Sequence, residues 1–179
     1  MNICVFCASS ESVPEKYREA VRELGTEMGR RGHNLVFGGY DSGLMGVAAH
    51  AVHDAGGKVY GVVPRSVTNF NARKVFDADF VHNVEDITTR MRLMCSLADA
   101  FVVAPGAFGT LEELFVALVD QKITPYEKKR IVLFNVDRYY EWFTDLCHRM
   151  VTEGLMSTSD LSLFSLESDS VGIIDALER

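Results

Sequence analysis

The sequence predicts an α/β protein built on a doubly wound parallel sheet, with helices on both faces. Two observations carry that prediction. Short apolar runs of strand length alternate with segments of helical period along the whole chain. No repeat, low-complexity tract or Pro-, Gly- or Ser-rich linker divides the 179 residues, so a single domain over 1–179 is expected. A chain of that length buries a core without disulfide staples.

The elements follow in order. Asn2–Cys7 reads as a strand. Ser12-Val13-Pro14-Glu15 reads as a helix start, with Ser12 as N-cap, Pro14 in the first turn and Glu15 closing a capping box. That helix runs to about Arg31, and Gly32 suits a left-handed cap. Asn34–Phe37 is a second strand, followed by a glycine loop over 38–43 and a helix from Leu44 to Asp54 that Gly56-Gly57 breaks. Lys58–Val63 is a strand ended by Pro64, and residues 65–76 read as a loop over one end of the sheet. Phe80–Val84 is a short strand, Asp86–Leu97 a helix, and Asp99–Ala104 a strand ended by Pro105. Then come a helix over Thr110–Gln121, a strand over Ile131–Val136 and a helix over Tyr139–Glu153. A short Leu161–Leu166 strand and a Ser168–Leu177 helix finish the chain.

Composition narrows the function. Apolar residues make up 47% and charged residues 24%, and 18 basic against 25 acidic side chains leave a net charge of −7. That field argues against a nucleic-acid partner or an anionic membrane. No run approaches the ~18 apolar residues of a membrane span. The N-terminus lacks the pattern of a secretory leader, so a cytoplasmic protein is expected. Cys4 and Cys7 lie in a strand on opposite faces and, with Cys95 and Cys147, read as buried thiols of a reducing compartment. An anionic ligand therefore needs a local device.

In doubly wound sheets ligands sit at the carboxyl ends of the strands, which directs attention to loops 8–13, 38–43, 64–75 and 105–110. Pro105-Gly106-Ala107-Phe108-Gly109-Thr110-Leu111-Glu112-Glu113 follows a strand and opens a helix. Its glycines allow close backbone approach, and the first helical N–H groups with the macrodipole make an anion site. Thr110 adds a hydroxyl. The same residues also fit a plain turn in which Thr110 and Glu113 form a capping box. Gly38-Gly39-Tyr40-Asp41-Ser42-Gly43 is a second such loop, and it matches neither the dinucleotide nor the Walker A pattern. Arg90 lies on or beside an apolar stripe of Ile87, Met91, Met94 and Leu97, either as a structural ion pair with Asp86 or Glu113 or as a ligand clamp. His50 and His53 read as a solvated face, as does Lys128-Lys129-Arg130. No G-x-S-x-G occurs, and no lysine falls in a strand-end glycine loop, so neither a hydrolase serine nor a pyridoxal-phosphate lysine is supported.

Residues 105–113 resemble the P-G-G-x-G-T-x-x-E signature of the Lonely Guy family. The resemblance extends to Cys7-Ala8-Ser9-Ser10, to Gly38-Gly39 through Gly43-Leu44-Met45-Gly46, to Gly61-Val62-Val63-Pro64, to Arg90…Met94…Ala98-Asp99-Ala100-Phe101 and to Asn135-Val136-Asp137…Tyr139-Tyr140. It implies a Rossmann-like fold, usually a homodimer, that hydrolyses the N-glycosidic bond of AMP or cytokinin riboside 5′-monophosphates to free base and ribose 5-phosphate. It places the catalytic Arg and Glu on Arg90 and Glu113. The binding residues it implies are Ser9, Gly39, Tyr40, Gly43, Met91, Gly106, Ala107, Phe108, Gly109, Thr110 and Glu112, with a small nucleotide as partner and no metal or organic cofactor. Three departures stand out: Ala107 replaces a glycine of the signature, Tyr40 replaces the third glycine of a triplet, and Met91 replaces a lysine beside the arginine. They suggest retained chemistry with altered substrate preference. The competing expectations are a non-catalytic nucleotide or cofactor carrier, and a ribohydrolase specialised for another nucleotide. Apolar Leu114, Phe115 and Leu118 suggest a helix-mediated dimer.

Overall fold

In a computed structural model, residues 1–65, 74–124 and 128–179 are described. The strands are β1 (Asn2–Phe6), β2 (Asn34–Phe37), β3 (Val59–Pro64), β4 (Phe80–Val84), β5 (Ala100–Val103), β6 (Arg130–Phe134) and β7 (Ser165–Glu167). They form one sheet in the order β4-β3-β2-β1-β5-β6-β7, with every neighbouring pair parallel. The helices are α1 (Glu15–Arg30), α2 (Gly43–Asp54), α3 (Ile87–Leu97), α4 (Phe108–Ile123), α5 (Glu141–Thr152) and α6 (Ser170–Glu178). The doubly wound parallel sheet expected from the alternating pattern is present.

The chain steps outward from β1 to β4, then returns to lay β5 on the other side of β1. Right-handed crossovers put helices on opposite faces when the direction of travel reverses. Accordingly α1, α2 and α6 bury Leu24, Met28, Leu44, Val52, Ile173 and Ile174 against one face. The helices α3, α4 and α5 bury Met94, Leu114, Ala117 and Phe143 against the other. Alternation along β1 sends Ile3, Val5 and Cys7 to the first core and Cys4 and Phe6 to the second. The two N-terminal cysteines thus face apart, as their spacing predicts.

Several local expectations change. The helix α1 starts at Glu15, and Pro14 rather than Ser12 precedes it with no side-chain cap. The Ser12 hydroxyl instead bonds Ser10 Oγ at 2.8 Å, a local turn that competes with capping. Gly32 does adopt the left-handed cap, at φ +74°, with His33 N–H donating to Met28 O. The strand expected over Leu161–Leu166 is shorter: Thr158–Leu163 form a 3₁₀ helix opened by a Ser157–Asp160 capping box, and β7 begins only at Ser165. The helix α5 starts later than expected because Val136–Arg138 forms a 3₁₀ turn with Asp137 and Arg138 at positive φ. Most of the loop expected over 65–76 lies outside the described residues. Its end, Lys74–Phe76, runs along Gly39–Asp41 through a Tyr40–Val75 bridge.

Candidate active site

β1 and β5 are hydrogen-bonded neighbours whose following helices cover opposite faces, so their loops part and leave a crevice at the carboxyl edge. A cavity of about 280 Å³ lies there. Cys7–Ser10 after β1 and Ala107, Gly109 and Thr110 after β5 line two of its sides. Tyr40, Met45, Pro64 and Ile87 give an apolar portion, and Arg90 and Glu113 complete the wall. A larger groove of about 610 Å³ between α1 and α2 contains neither Arg90, Glu113 nor the α4 start. Two of its arginines are paired within the chain, Arg18 with Glu11 and Arg22 with Glu15, and His50 bonds Asp41.

The helix α4 starts two residues earlier than expected, with Ala107 as N-cap and no side chain capping it. The first bond reaching back to the cap is Leu111 N–H to Ala107 O at 3.0 Å. The N–H groups of Phe108, Gly109 and Thr110 therefore precede the helical ladder, and the positive end of the dipole opens beside the cavity. Thr110 is buried inside the first turn, so the Thr110–Glu113 capping box does not form. That leaves the Glu113 carboxylate free for another partner. Gly106 is obligatory, because a Cβ there would lie 2.1 Å from Thr110 Oγ1. Ala107 sits at φ −103°, a conformation open to any L-residue, so this departure from glycine costs no strain.

The partner is Arg90. The helix α3 that carries it is the crossover from β4 back to β5, and it passes over β3, β2 and β1. Arg90 Nε donates to Val62 O at 3.2 Å, and Nη1 lies 3.7 Å from Glu113 Oε1. Both side chains are largely buried, at 14% and 13% exposure. Asp86, the other partner considered, is occupied as the α3 N-cap, accepting from Thr89 N–H. Gly38 makes room for the guanidinium: a Cβ there would fall 1.8 Å from Arg90 Nη2. Burial pushes the Glu113 carboxyl up to about 7, against the opposing pull of Arg90, and Glu112 adds to the rise. Burial, reinforced by Glu113, also holds the Cys7 thiol well above its ordinary range, so it faces the cavity as a neutral group.

The second glycine loop has a different role. Gly43, at φ +55°, leaves no space for a side chain, since a Cβ would lie 2.6 Å from the Ser9 carbonyl carbon. Its N–H donates to Glu11 Oε1 at 3.0 Å, and Leu44 N–H donates to Ala8 O at 2.9 Å. The start of α2 is thus occupied from within, and the loop acts as a scaffold for the β1 loop.

Of the binding and catalytic residues expected, Ser9, Tyr40, Arg90, Ala107, Gly109, Thr110 and Glu113 line the cavity. Gly39, Gly43, Met91, Gly106, Phe108 and Glu112 do not. Gly39, Gly43 and Gly106 shape the loops behind it. Phe108 is 90% exposed, and Glu112 is exposed on α4. Met91, one residue on from Arg90, packs against the core under α3–α5 and lies 3.9 Å from Cys95 Sγ. Cys7, Ala8, Ser10, Met45 and Pro64, which lie in the quoted motifs but outside the expected set of site residues, line the cavity as well. Ile87, in sequence a member of the apolar stripe, lines it too. Its place at the very start of a helix after a strand was the available signal.

The model of a family described as "possible lysine decarboxylase" matches residues 45–177. The chain is 37% identical over 179 residues to the cytokinin riboside 5′-monophosphate phosphoribohydrolase LOG4 of Arabidopsis thaliana, covering 99% of this chain and 81% of that protein.

The chain belongs to the Lonely Guy family.

A further Lonely Guy relative is the cytokinin riboside 5′-monophosphate phosphoribohydrolase LOG of Oryza sativa subsp. japonica. It is 39% identical over 157 residues, covering 87% of this chain. The chain spans 63% of that rice protein's length. Among solved structures, the molybdenum cofactor carrier protein of Chlamydomonas reinhardtii superposes with a TM-score of 0.74 at 23% identity, covering 99% of this chain and 95% of that one. The molybdenum cofactor binding protein of Rippkaea orientalis gives 0.72 at 19% identity, covering 99% and 94%. These two likenesses concern the fold alone. The Lonely Guy signature falls on the β5–α4 loop and the first turns of α4, whose Ala107, Gly109, Thr110 and Glu113 line the cavity.

Proposed function

We propose that this chain hydrolyses the N-glycosidic bond of a nucleoside 5′-monophosphate, releasing free base and ribose 5-phosphate. The observation that carries this reading is the buried Arg90–Glu113 pair in the same cavity as the uncapped start of α4. The 5′-phosphate rests on the N–H groups around Ala107–Thr110, where backbone dipoles hold it despite the chain's net charge of −7. The ribose then lies toward Glu113. As the bond to the base breaks, C1′ gains oxocarbenium character, which an ionised carboxylate stabilises. Glu113 also takes a proton from the attacking water, whose hydroxyl bonds C1′ as the C1′–N bond breaks, and passes that proton to the departing base, which regenerates the carboxylate. A carboxyl that titrates near 7 is suited to that exchange at neutral pH. Arg90, anchored on Val62 O, keeps the carboxylate oriented.

The family description as a lysine decarboxylase fits the cavity less well. A pyridoxal-phosphate reaction needs a lysine for the Schiff base, and no lysine is among the described residues that line it. The substrate in this reading carries an unsubstituted base. The cavity sits below the usual 300–1,000 Å³ range of ligand pockets, and Tyr40 stands where the family has a glycine. Two copies pair through α4, whose Phe115, Val116, Val119 and Ile123 are exposed. Leu114 and Leu118, first candidates for that face, pack into the chain's own core. Incubation with AMP, CMP, GMP and isopentenyladenosine monophosphate, followed by chromatography for free base, tests the reading. Release from AMP exceeding release from the isopentenyl substrate is expected. Binding without release from any of them would instead mark a carrier.

A further inference from the structure

Three consecutive carbonyls of the β5–α4 loop are each held by a donor from elsewhere in the chain. The Tyr140 hydroxyl donates to Ala104 O at 2.8 Å. Ala8 N–H donates to Pro105 O at 3.1 Å. The Tyr139 hydroxyl donates to Gly106 O at 2.6 Å.

The last contact matters most for a ligand. In a trans peptide the C=O of one residue and the N–H of the next point in opposite directions. Fixing Gly106 O therefore fixes the Ala107 N–H, which points away from the Tyr139 hydroxyl, and Ala107 lines the cavity. A hydrogen bond to that carbonyl also polarises the peptide and makes its N–H a stronger donor.

The tyrosine is itself held. Its ring meets Tyr17 of α1 edge-on at 5.8 Å and Tyr140 at 5.0 Å. Tyr140 N–H is anchored on Asn135 Oδ1 at 2.8 Å. The preceding Asp137 and Arg138 both sit at positive φ, 51° and 62°, which is unfavourable for residues with a Cβ. That turn brings Tyr139 back over the β5–α4 loop, and Lys16 of α1 pairs with Asp137.

We propose that Tyr139 is a positioning residue for the 5′-phosphate, acting through the Gly106 carbonyl to pre-set the Ala107 N–H before a ligand arrives. This rests on the reading that α4 receives the phosphate, and it assigns a role to a residue outside the cavity.

The test compares Tyr139→Phe with the wild type, since phenylalanine keeps the ring packing and removes only the hydroxyl. Affinities for ribose 5-phosphate and for adenine are measured by calorimetry, AMP turnover by chromatography, and the melting temperature by calorimetric scan. The expected result is a loss of about fivefold in ribose 5-phosphate affinity, a similar rise in KM for AMP and a change in kcat below about twofold. Adenine affinity stays unchanged. Equal ribose 5-phosphate affinity in the two proteins overturns the proposal. So does a parallel loss for both ligands with a falling melting temperature, which would mark Tyr139 as merely structural. A wild type that binds ribose 5-phosphate but leaves every nucleotide intact refutes the hydrolase reading, while the two affinities still decide the role of Tyr139. A wild type that does not bind ribose 5-phosphate refutes both.

Discussion

Replacing Glu113 with glutamine separates burial from catalysis through pH. The carboxyl titrates at about 7 in the fold, against 4.5 for an ordinary glutamate. A raised folded-state value means that the folded chain holds this proton more tightly than the unfolded chain. The resulting stability is complete below about 4.5 and is lost as pH rises through about 7. At about 1.4 kcal/mol per pH unit, the full loss is about 3 kcal/mol, of which about 2 kcal/mol falls between pH 5.5 and 8.5. Glutamine does not titrate, so Glu113→Gln should gain about 2 kcal/mol relative to wild type across that interval. Urea denaturation at both pH values measures it, with any effect of losing the Arg90 partner appearing as a constant offset. Base release from AMP should be abolished in the variant, and wild-type turnover should fall as pH drops below 7. A stability difference independent of pH would show that the carboxyl is not buried as described. Full turnover by the variant would remove Glu113 from the mechanism.

Three other substitutions probe the site and its surroundings. Gly38→Ala puts a Cβ 1.8 Å from Arg90 Nη2, so the guanidinium must move; kcat for AMP should drop at least about tenfold, while chain stability changes by about 1–3 kcal/mol in urea. Ala107→Gly restores the family's glycine where the backbone already has an unstrained φ of −103°, and KM for AMP should change less than about threefold. Val119→Asp places a charge on the exposed face of α4; if two copies pair through that face as proposed, light scattering should report a dimer for the wild type and a monomer for the variant.

Much of the site was readable because glycine requirements are local. Gly106 and Gly109 between a strand and a helix mark a place where backbone N–H groups are accessible, and the helix that follows supplies the dipole. Other features were ambiguous for a definite reason. Thr110-x-x-Glu113 fits a capping box, and only the helix start at Phe108 shows that the box does not form. The second glycine loop resembles another anion cradle in sequence, but the Glu11 carboxylate already occupies Gly43 N–H, a contact between positions 32 residues apart. Met91 is adjacent to Arg90 in sequence but packs into the core under α3–α5 while Arg90 lines the cavity, because successive helical residues point about 100° apart.

The sequence by itself determined the alternation of strands and helices, the opposite facing of Cys4 and Cys7, and the loops able to approach a phosphate. Those properties depend on residues within a few positions of one another, where periodicity and backbone freedom are the controlling physics. Only the tertiary structure decided which charges meet. The return crossover from β4 to β5 lays α3 across the sheet and brings Arg90 to 3.7 Å from Glu113, and a turn at Asp137–Arg138 sets Tyr139 on the Gly106 carbonyl. Such pairings are fixed by strand order and burial, because a buried charge or hydroxyl must find its partner wherever the fold places one.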